Sequence, residues 1–222
     1  MKITKILLEI LRNYSVINSS ILFKPGNIIS TISPLKNIVS LAKISEEITN
    51  EFAIYDLSEF LGIISLLDEP MAEFTDSQII IKSNKKTIKY TFANPNTIVC
   101  SPYKEIEIKP EEILTQFKFN FSEFNNITKA SAILHTKDIV ISGNSGIIDV
   151  SIGDVKNRTS SSYSLTIEPL VQFDTNFRKI FDIENFKVMN RDYIITIPNK
   201  NLIEFKTEDG SLSYWIAPST NT

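Results

Sequence analysis

Ile6, Leu7, Ile10, Leu11 and Tyr14 recur close to the 3.6-residue period and predict an amphipathic helix at the N-terminus. Lys5, Glu9 and Arg12 fall on its opposite face, joined by Lys2 if the helix begins that early. Short β-type runs follow at 21–23, 28–32 and 38–44, separated by Lys24-Pro25-Gly26-Asn27 and Ser33-Pro34 turns. Asp56 reads as an N-cap with Glu59 three places on, a capping box that opens a second helix. Leu57, Phe60, Leu61, Ile64 and Leu67 form the buried stripe of that helix, and Ser58, Gly62 and Ser65 its other side. Strands are predicted at 78–82 and 87–92, joined by the polar turn Ser83-Asn84-Lys85-Lys86.

From Ala93 to about Pro110 the pattern changes. Pro95, Pro102 and Pro110 punctuate it, Glu105 and Glu107 lie between them, and no helical period survives, so the segment reads as a linker. The boundaries are then residues 1–93, a linker at 94–110 and a second domain at 111–222. Beyond the linker the element order starts again. A strand at 115–119 leads into a helix over Phe121–Leu134 that buries Phe124, Ile127 and Leu134 and exposes Ser122, Asn125, Asn126 and Lys129. Strands at 138–142 and 146–152 flank a Gly143-Asn144-Ser145 hairpin turn. A strand at 161–167 precedes a fourth helix at 175–184, burying Phe177, Ile180 and Phe181 and exposing Arg178, Lys179 and Asp182. Strands at 193–197, 202–206 and 212–217 follow. Ile17 aligns with Leu134, Phe60 with Phe181 and Ala93 with Ala217, at offsets that drift only from 117 to 124 residues. The architecture this suggests is a duplicated α+β unit, each copy running helix, strands, helix, strands.

Composition narrows the chemistry. The chain has 222 residues, 42% hydrophobic and 22% charged, with 23 Lys+Arg against 26 Asp+Glu for a net charge of −3. That total speaks against a histone-like positive coat, though not against a basic face within it. One cysteine, Cys100, excludes an internal disulfide framework, and one histidine, His135, excludes multi-His metal sites. No Gly-Lys-Ser/Thr loop is present, and no apolar run approaches a membrane span. The expectation is an intracellular, non-enzymatic protein that uses no cofactor and no metal.

The string Ala53-Ile54-Tyr55-Asp56-Leu57-Ser58-Glu59-Phe60-Leu61-Gly62-Ile63-Ile64-Ser65-Leu66 closely resembles the second helix of the sliding clamps of T-even bacteriophages, the processivity factors of the phage DNA polymerases. The opening from Met1 through Ser19 looks like that family's first helix and strand. The tail from Leu202 through Pro218 looks like the last strands of cellular clamps. The resemblance implies the DNA-clamp fold and a homotrimeric ring of two-domain subunits. It implies that helices line the hole, that duplex DNA passes through without sequence readout, and that a separate ATP-driven loader opens the ring. The implied partners are double-stranded DNA, the replicative polymerase, the clamp loader and late-transcription factors, in the cytoplasm of an infected bacterium and with no membrane role. A duplicated virion structural or assembly protein is the alternative class.

Under that resemblance Lys2, Lys5, Arg12, Lys129, Arg178 and Lys179 become the DNA-facing set, a sparse one, since the helix after Asp56 offers no base. Val39, Leu41, Ile106, Ile108, Trp215, Ile216, Ala217 and Pro218 become the pocket for partner peptides. Strand alternation leaves room for only one of Trp215 and Ile216 in the core. Ring closure is assigned to strands 87–92 and 161–167, pairing head to tail between subunits.

Overall fold

The computed structural model describes residues 1–101, 105–157 and 159–219; Pro102 of the predicted linker and the last three residues of the predicted second domain lie outside them. The chain divides into two compact units, Met1–Glu105 and Ile106–Thr222.

The first unit opens with α1 (Lys5–Ile17), β1 (Ile21–Phe23), β2 (Gly26–Ile32), β3 (Ile38–Ile48) and β4 (Phe52–Ile54). It continues with α2 (Leu57–Ile64), β5 (Met71–Phe74), β6 (Gln78–Ser83) and β7 (Lys86–Thr91). The Thr4 hydroxyl accepts the Leu7 N–H at 3.2 Å, and the Asp56 carboxylate accepts the Glu59 N–H at 2.9 Å, so both helices start on side-chain caps. Leu7, Ile10, Leu11, Tyr14 and Ile17 are buried on α1, whereas Ile6, placed in the predicted stripe, lies 59% exposed. Ile6 stands about 100° around the helix from Leu7 and falls off the edge of the stripe. Each large apolar side chain taken fully out of water contributes about 1.5–3 kcal/mol, which is what holds α1 and α2 to the strands. Tyr14 is fully buried; its hydroxyl accepts from Ser40 at 3.1 Å and donates a long bond to the Ile29 carbonyl. β4 and β5 escaped the sequence pattern; at three and four residues they express no period, and β1, equally short, stood out only through the Pro25-Gly26 turn that follows it.

The second unit runs β8 (Ile113–Phe119), α3 (Phe121–Leu134), β9 (Asp138–Asn144), β10 (Ile147–Ile152), β11 (Tyr163–Ile167) and β12 (Phe177–Asp182). A 3-10 turn at Ile183–Asn185 leads to β13 (Tyr193–Pro198), β14 (Ile203–Lys206) and β15 (Leu212–Ile216). One antiparallel sheet has the order β11-β10-β9-β12, and β15, β14, β13 and β8 pair in that order in another. α3 covers the apolar face of the first sheet. Phe124 stacks on Phe186 at 6.3 Å, and Phe186 meets Phe181 of β12 edge-on at 5.5 Å.

Three expectations fail here. Residues 175–184 are not a helix: β12 pairs with β9 over its whole length and the 3-10 turn follows. Phe177, Ile180 and Phe181 fit a helical stripe, but Phe177 and Phe181 fit a strand face equally, and the open edge of β9 decides between the periods. The second unit therefore repeats the predicted order only in part, with α3 as its one α-helix among the described residues. Second, Gly143 belongs to β9, and the turn residues are Ser145 and Gly146, both at positive φ (51° and 78°), a two-residue hairpin loop. Third, Trp215 and Ile216 are both buried, at 2% and 0% exposure, because β15 is covered on both of its faces.

Candidate nucleic-acid interface

The exposed face of α1 carries Lys5, Glu9, Arg12 and Val16 at i, i+4, i+7 and i+11, a straight row along the helix. Lys5 and Arg12 lie about 10 Å apart along the axis at 1.5 Å per residue. Lys2, Lys5 and Arg12 line one groove of about 710 Å³ beside the end of α2, together with Glu9, Asp68 and Glu69. Three cations and three carboxylates leave that groove charge-balanced, so any attraction to phosphate is local to the lysine and arginine tips. Glu46, only 7% exposed, accepts the Thr4 N–H at 3.1 Å and thereby fixes the start of α1 against β3.

α3 presents a second row, Ser122, Asn126, Lys129 and Ile133, all exposed. Its N-terminus is set by the Asn120 N–H donating to the Glu123 carboxylate at 3.0 Å, and His135 ends it in the left-handed conformation (φ 52°). The exposed side of α2 offers Ser58, Glu59, Gly62 and Ser65 and no base. Among features the sequence pattern missed, Val16 and Ile133 sit four residues beyond Arg12 and Lys129 and are 60% and 75% exposed. Each cation row thus ends on an exposed aliphatic residue, which a hydrophobicity scan assigns to the core.

The two remaining cations of the expected set lie elsewhere. Arg178 stands across from Ser142 and Lys179 across from Ile141 in the β12–β9 ladder. Lys179 therefore shares the face of Ile139, Val150 and Phe181, on which α3 packs, while Arg178 points to the opposite face. There it lines a cleft of about 570 Å³ with Ser142, Ser151, Asp154 and Asn157. Lys179 is half-buried and donates to the Lys200 carbonyl, and burial lowers its pKa. Lys129 and Arg178 do not share a surface, and Lys179 is committed to an internal contact.

Of the expected peptide pocket, Val39 and Leu41 are buried within the first unit. In the second unit Ile106, Ile108, Ala217 and Pro218 are half-exposed, and the Ser219 N–H ties the tail to the Ile180 carbonyl at 2.8 Å. The Trp215 indole N–H has no hydrogen-bond partner among the described residues. The strands assigned to ring closure, β7 and β11, are both sheet edges. No group of three or more His, Cys, Asp or Glu side chains among the described residues is arranged to hold a metal. No helix among them is long and apolar enough to cross a membrane.

Antiparallel sheets backed by helices with exposed polar rows, in two successive units, define the DNA-clamp fold, and solved structures agree. The chain matches the PCNA of A. fulgidus, in a structure with the C-terminal region of FEN-1 bound, at a TM-score of 0.70 and 14% identity over 98% of this chain and 96% of that one. It matches the DNA polymerase III subunit beta of Pseudomonas aeruginosa at a TM-score of 0.70 and 9% identity, covering all of this chain but 64% of the longer one. The family described as DNA polymerase processivity factor matches residues 2–100. The sliding clamp of Escherichia phage RB69 is 30% identical over 225 residues, covering 98% of this chain and 96% of that protein. That of Vibrio phage KVP40 is 26% identical over 98% of both. The chain belongs to the phage sliding-clamp family, and as such it is a non-enzymatic DNA polymerase processivity factor.

Proposed function

We propose that three copies of this chain close head to tail into a ring around duplex DNA, β7 of each copy pairing with β11 of the next. Lys2, Lys5, Arg12 and Lys129 face the phosphates. The free edges of β7 and β11 are the observation that carries this reading, because an unpaired edge in a soluble protein demands a cover and head-to-tail pairing supplies one. Arg178 and Lys179 leave the DNA-facing set: one points away from the face that α3 covers and the other is bonded internally. Sparse cations suit a sliding device. Encirclement replaces affinity, and deep base contacts are traps for anything that must move along the helix.

The ring tethers the replicative polymerase, a separate ATP-driven loader opens it, and late-transcription factors are a further class of partner, all in the cytoplasm of the infected bacterium. Partner peptides dock at the half-exposed Ile106, Ile108, Ala217 and Pro218 of the second unit, whose strand neighbours Trp215 and Ile216 are buried. The FEN-1 segment bound to the A. fulgidus protein supports peptide docking as a mode available to this fold.

Light scattering after chromatography over a concentration series tests the assembly, with a mass near three chains expected. A strict monomer at the highest concentration sinks the ring. Primer extension with and without clamp and loader tests the tether, with longer products expected only when both are present.

A further inference from the structure

The two edges assigned to ring closure, β7 and β11, carry opposite charge. The β6–β7 turn and β7 hold Lys85, Lys86 and Lys89 and no carboxylate, whereas β11 and the residue after it hold Glu168 and no cation. Lys89 and Glu168 are both exposed, and neither has an ion-pair partner among the described residues.

Ladder register fixes which side chains share a face. Ile88 and Tyr90 stand beside the buried Ile81 and Ile79, while Lys89 stands beside Ile80 on the other face. On β11, Leu165 and Ile167 stand beside the buried Val150 and Ile148, while Thr166 stands beside Asp149. Ile88, Tyr90, Leu165 and Ile167 are all half-exposed although their neighbours one strand inward are buried. Each row is the rim of a core that lacks its next strand.

An antiparallel join that merges the two apolar faces must set even-numbered residues of β7 across from odd-numbered residues of β11, since side chains alternate along a strand. Three neighbouring registers satisfy that parity. With Ile88 across from Ile167, Tyr90 meets Leu165, Lys89 meets Thr166 and Thr87 meets Glu168. The Lys89 ammonium then has Glu168 on the diagonal, within reach of a long side chain. Asp149 lies one strand further on, its carboxylate already receiving the Thr166 hydroxyl at 2.7 Å. Sliding two residues one way keeps Ile88 against Leu165 and Tyr90 against Tyr163, but sets Ile167 against Lys86 and Lys89 against Ser164. Sliding two the other way sets Lys89 directly opposite Glu168, but brings Pro169, which has no N–H, into the ladder opposite Ile88. The first alternative keeps two apolar pairs but carries Lys89 away from Glu168, and the second forfeits a backbone bond.

We infer that the surface formed by β7 of one copy fits β11 of a second copy in the register Ile88–Ile167, with Lys89 on the diagonal to Glu168 excluding the slide one way and Pro169 the slide the other way. The inference rests on the ring reading above and adds to it the register and the charge pair. Like charges set against each other at this position penalise the wrong partner edge, so the pair also enforces head-to-tail polarity.

Sedimentation of the full chain over a concentration series, at ~50 mM and ~500 mM salt, tests it. Lys89→Glu and Glu168→Lys each weaken self-association about tenfold or more, and the double charge swap restores it to near the parent value. Salt weakens the parent's association and leaves that of the Lys89→Ala/Glu168→Ala double variant nearly unchanged. Far-ultraviolet circular dichroism of the single variants, and thermal unfolding at a concentration too dilute for association, match the parent, since both side chains are exposed. Single reversals that leave association intact overturn the ionic join while the ring stands, and so does a double swap no better than either single. A parent chain that never self-associates overturns the ring and this inference together.

Discussion

Arg178 stands directly across from Ser142 in the β12–β9 ladder, on the sheet face opposite the one that α3 covers. Lys129 of α3 and Arg178 are therefore separated by the thickness of a sheet. Arg178→Ala leaves loader-dependent processivity unchanged, whereas Lys129→Ala shortens the products of primer extension. Combining Lys5→Ala, Arg12→Ala and Lys129→Ala lowers the salt slope of DNA retention by about 0.9 for each phosphate contact removed. Equal losses from Arg178→Ala and Lys129→Ala contradict the assignment.

Gly143 lies in β9 between two aromatic rings. A Cβ there would stand 2.6 Å from Phe173 and closer still to Phe177, whose rings are packed 5.4 Å apart. The half-exposed Phe177 ring can swing outward but Phe173 is buried and must displace its neighbours, so Gly143→Ala destabilises the protein by about 1–3 kcal/mol, read as a lower urea midpoint at constant slope. Gly62, exposed on α2 with open space around it, gains stability from the same change, by up to about 1 kcal/mol.

Glu46 bridges β3 to the start of α1 through the Thr4 N–H, and the Ser45 hydroxyl donates to its other oxygen at 3.2 Å. Glu46→Ala leaves a part-buried donor without its acceptor and costs about 1–3 kcal/mol in thermal unfolding. Glu46→Gln keeps an acceptor oxygen and recovers part of that loss.

Asp209 accepts from the Thr207 hydroxyl at 2.6 Å and from the Ser211 N–H and hydroxyl, and these bonds hold its carboxyl down at about 2 from an ordinary 3.8. A depressed carboxylate stabilises the fold above its unfolded pKa, and that contribution disappears as pH falls through the folded value. Asp209→Asn flattens the acid limb of the melting temperature between those two values and leaves its shape near neutrality unchanged. Identical acid limbs for the parent and this variant remove Asp209 from the account.

Most elements were legible because their patterns are long. α1 and α3 express several turns of one period, Asp56 marks a cap, and the second helix with its flanks resembles the phage clamps closely enough to indicate the family. β4, β5 and the segment at 175–184 were not legible. The first two are too short to show a period, and in the third Phe177, Ile180 and Phe181 satisfy a helix and a strand alike until β9 offers its edge.

The sequence by itself determined the clamp family, the exposed cation rows of α1 and α3, the absence of multi-cysteine and multi-histidine chemistry, and the alternation of β7 and β11. Tertiary structure alone decided which sheet face Arg178 occupies, that Lys179 is spent on an internal carbonyl, and that Trp215 and Ile216 are both core. It also decided that β7 and β11 are edges. The reason is one of range. Period and capping are written into neighbouring residues, whereas the face a strand residue takes, and whether its strand has a neighbour, depends on segments tens of residues away.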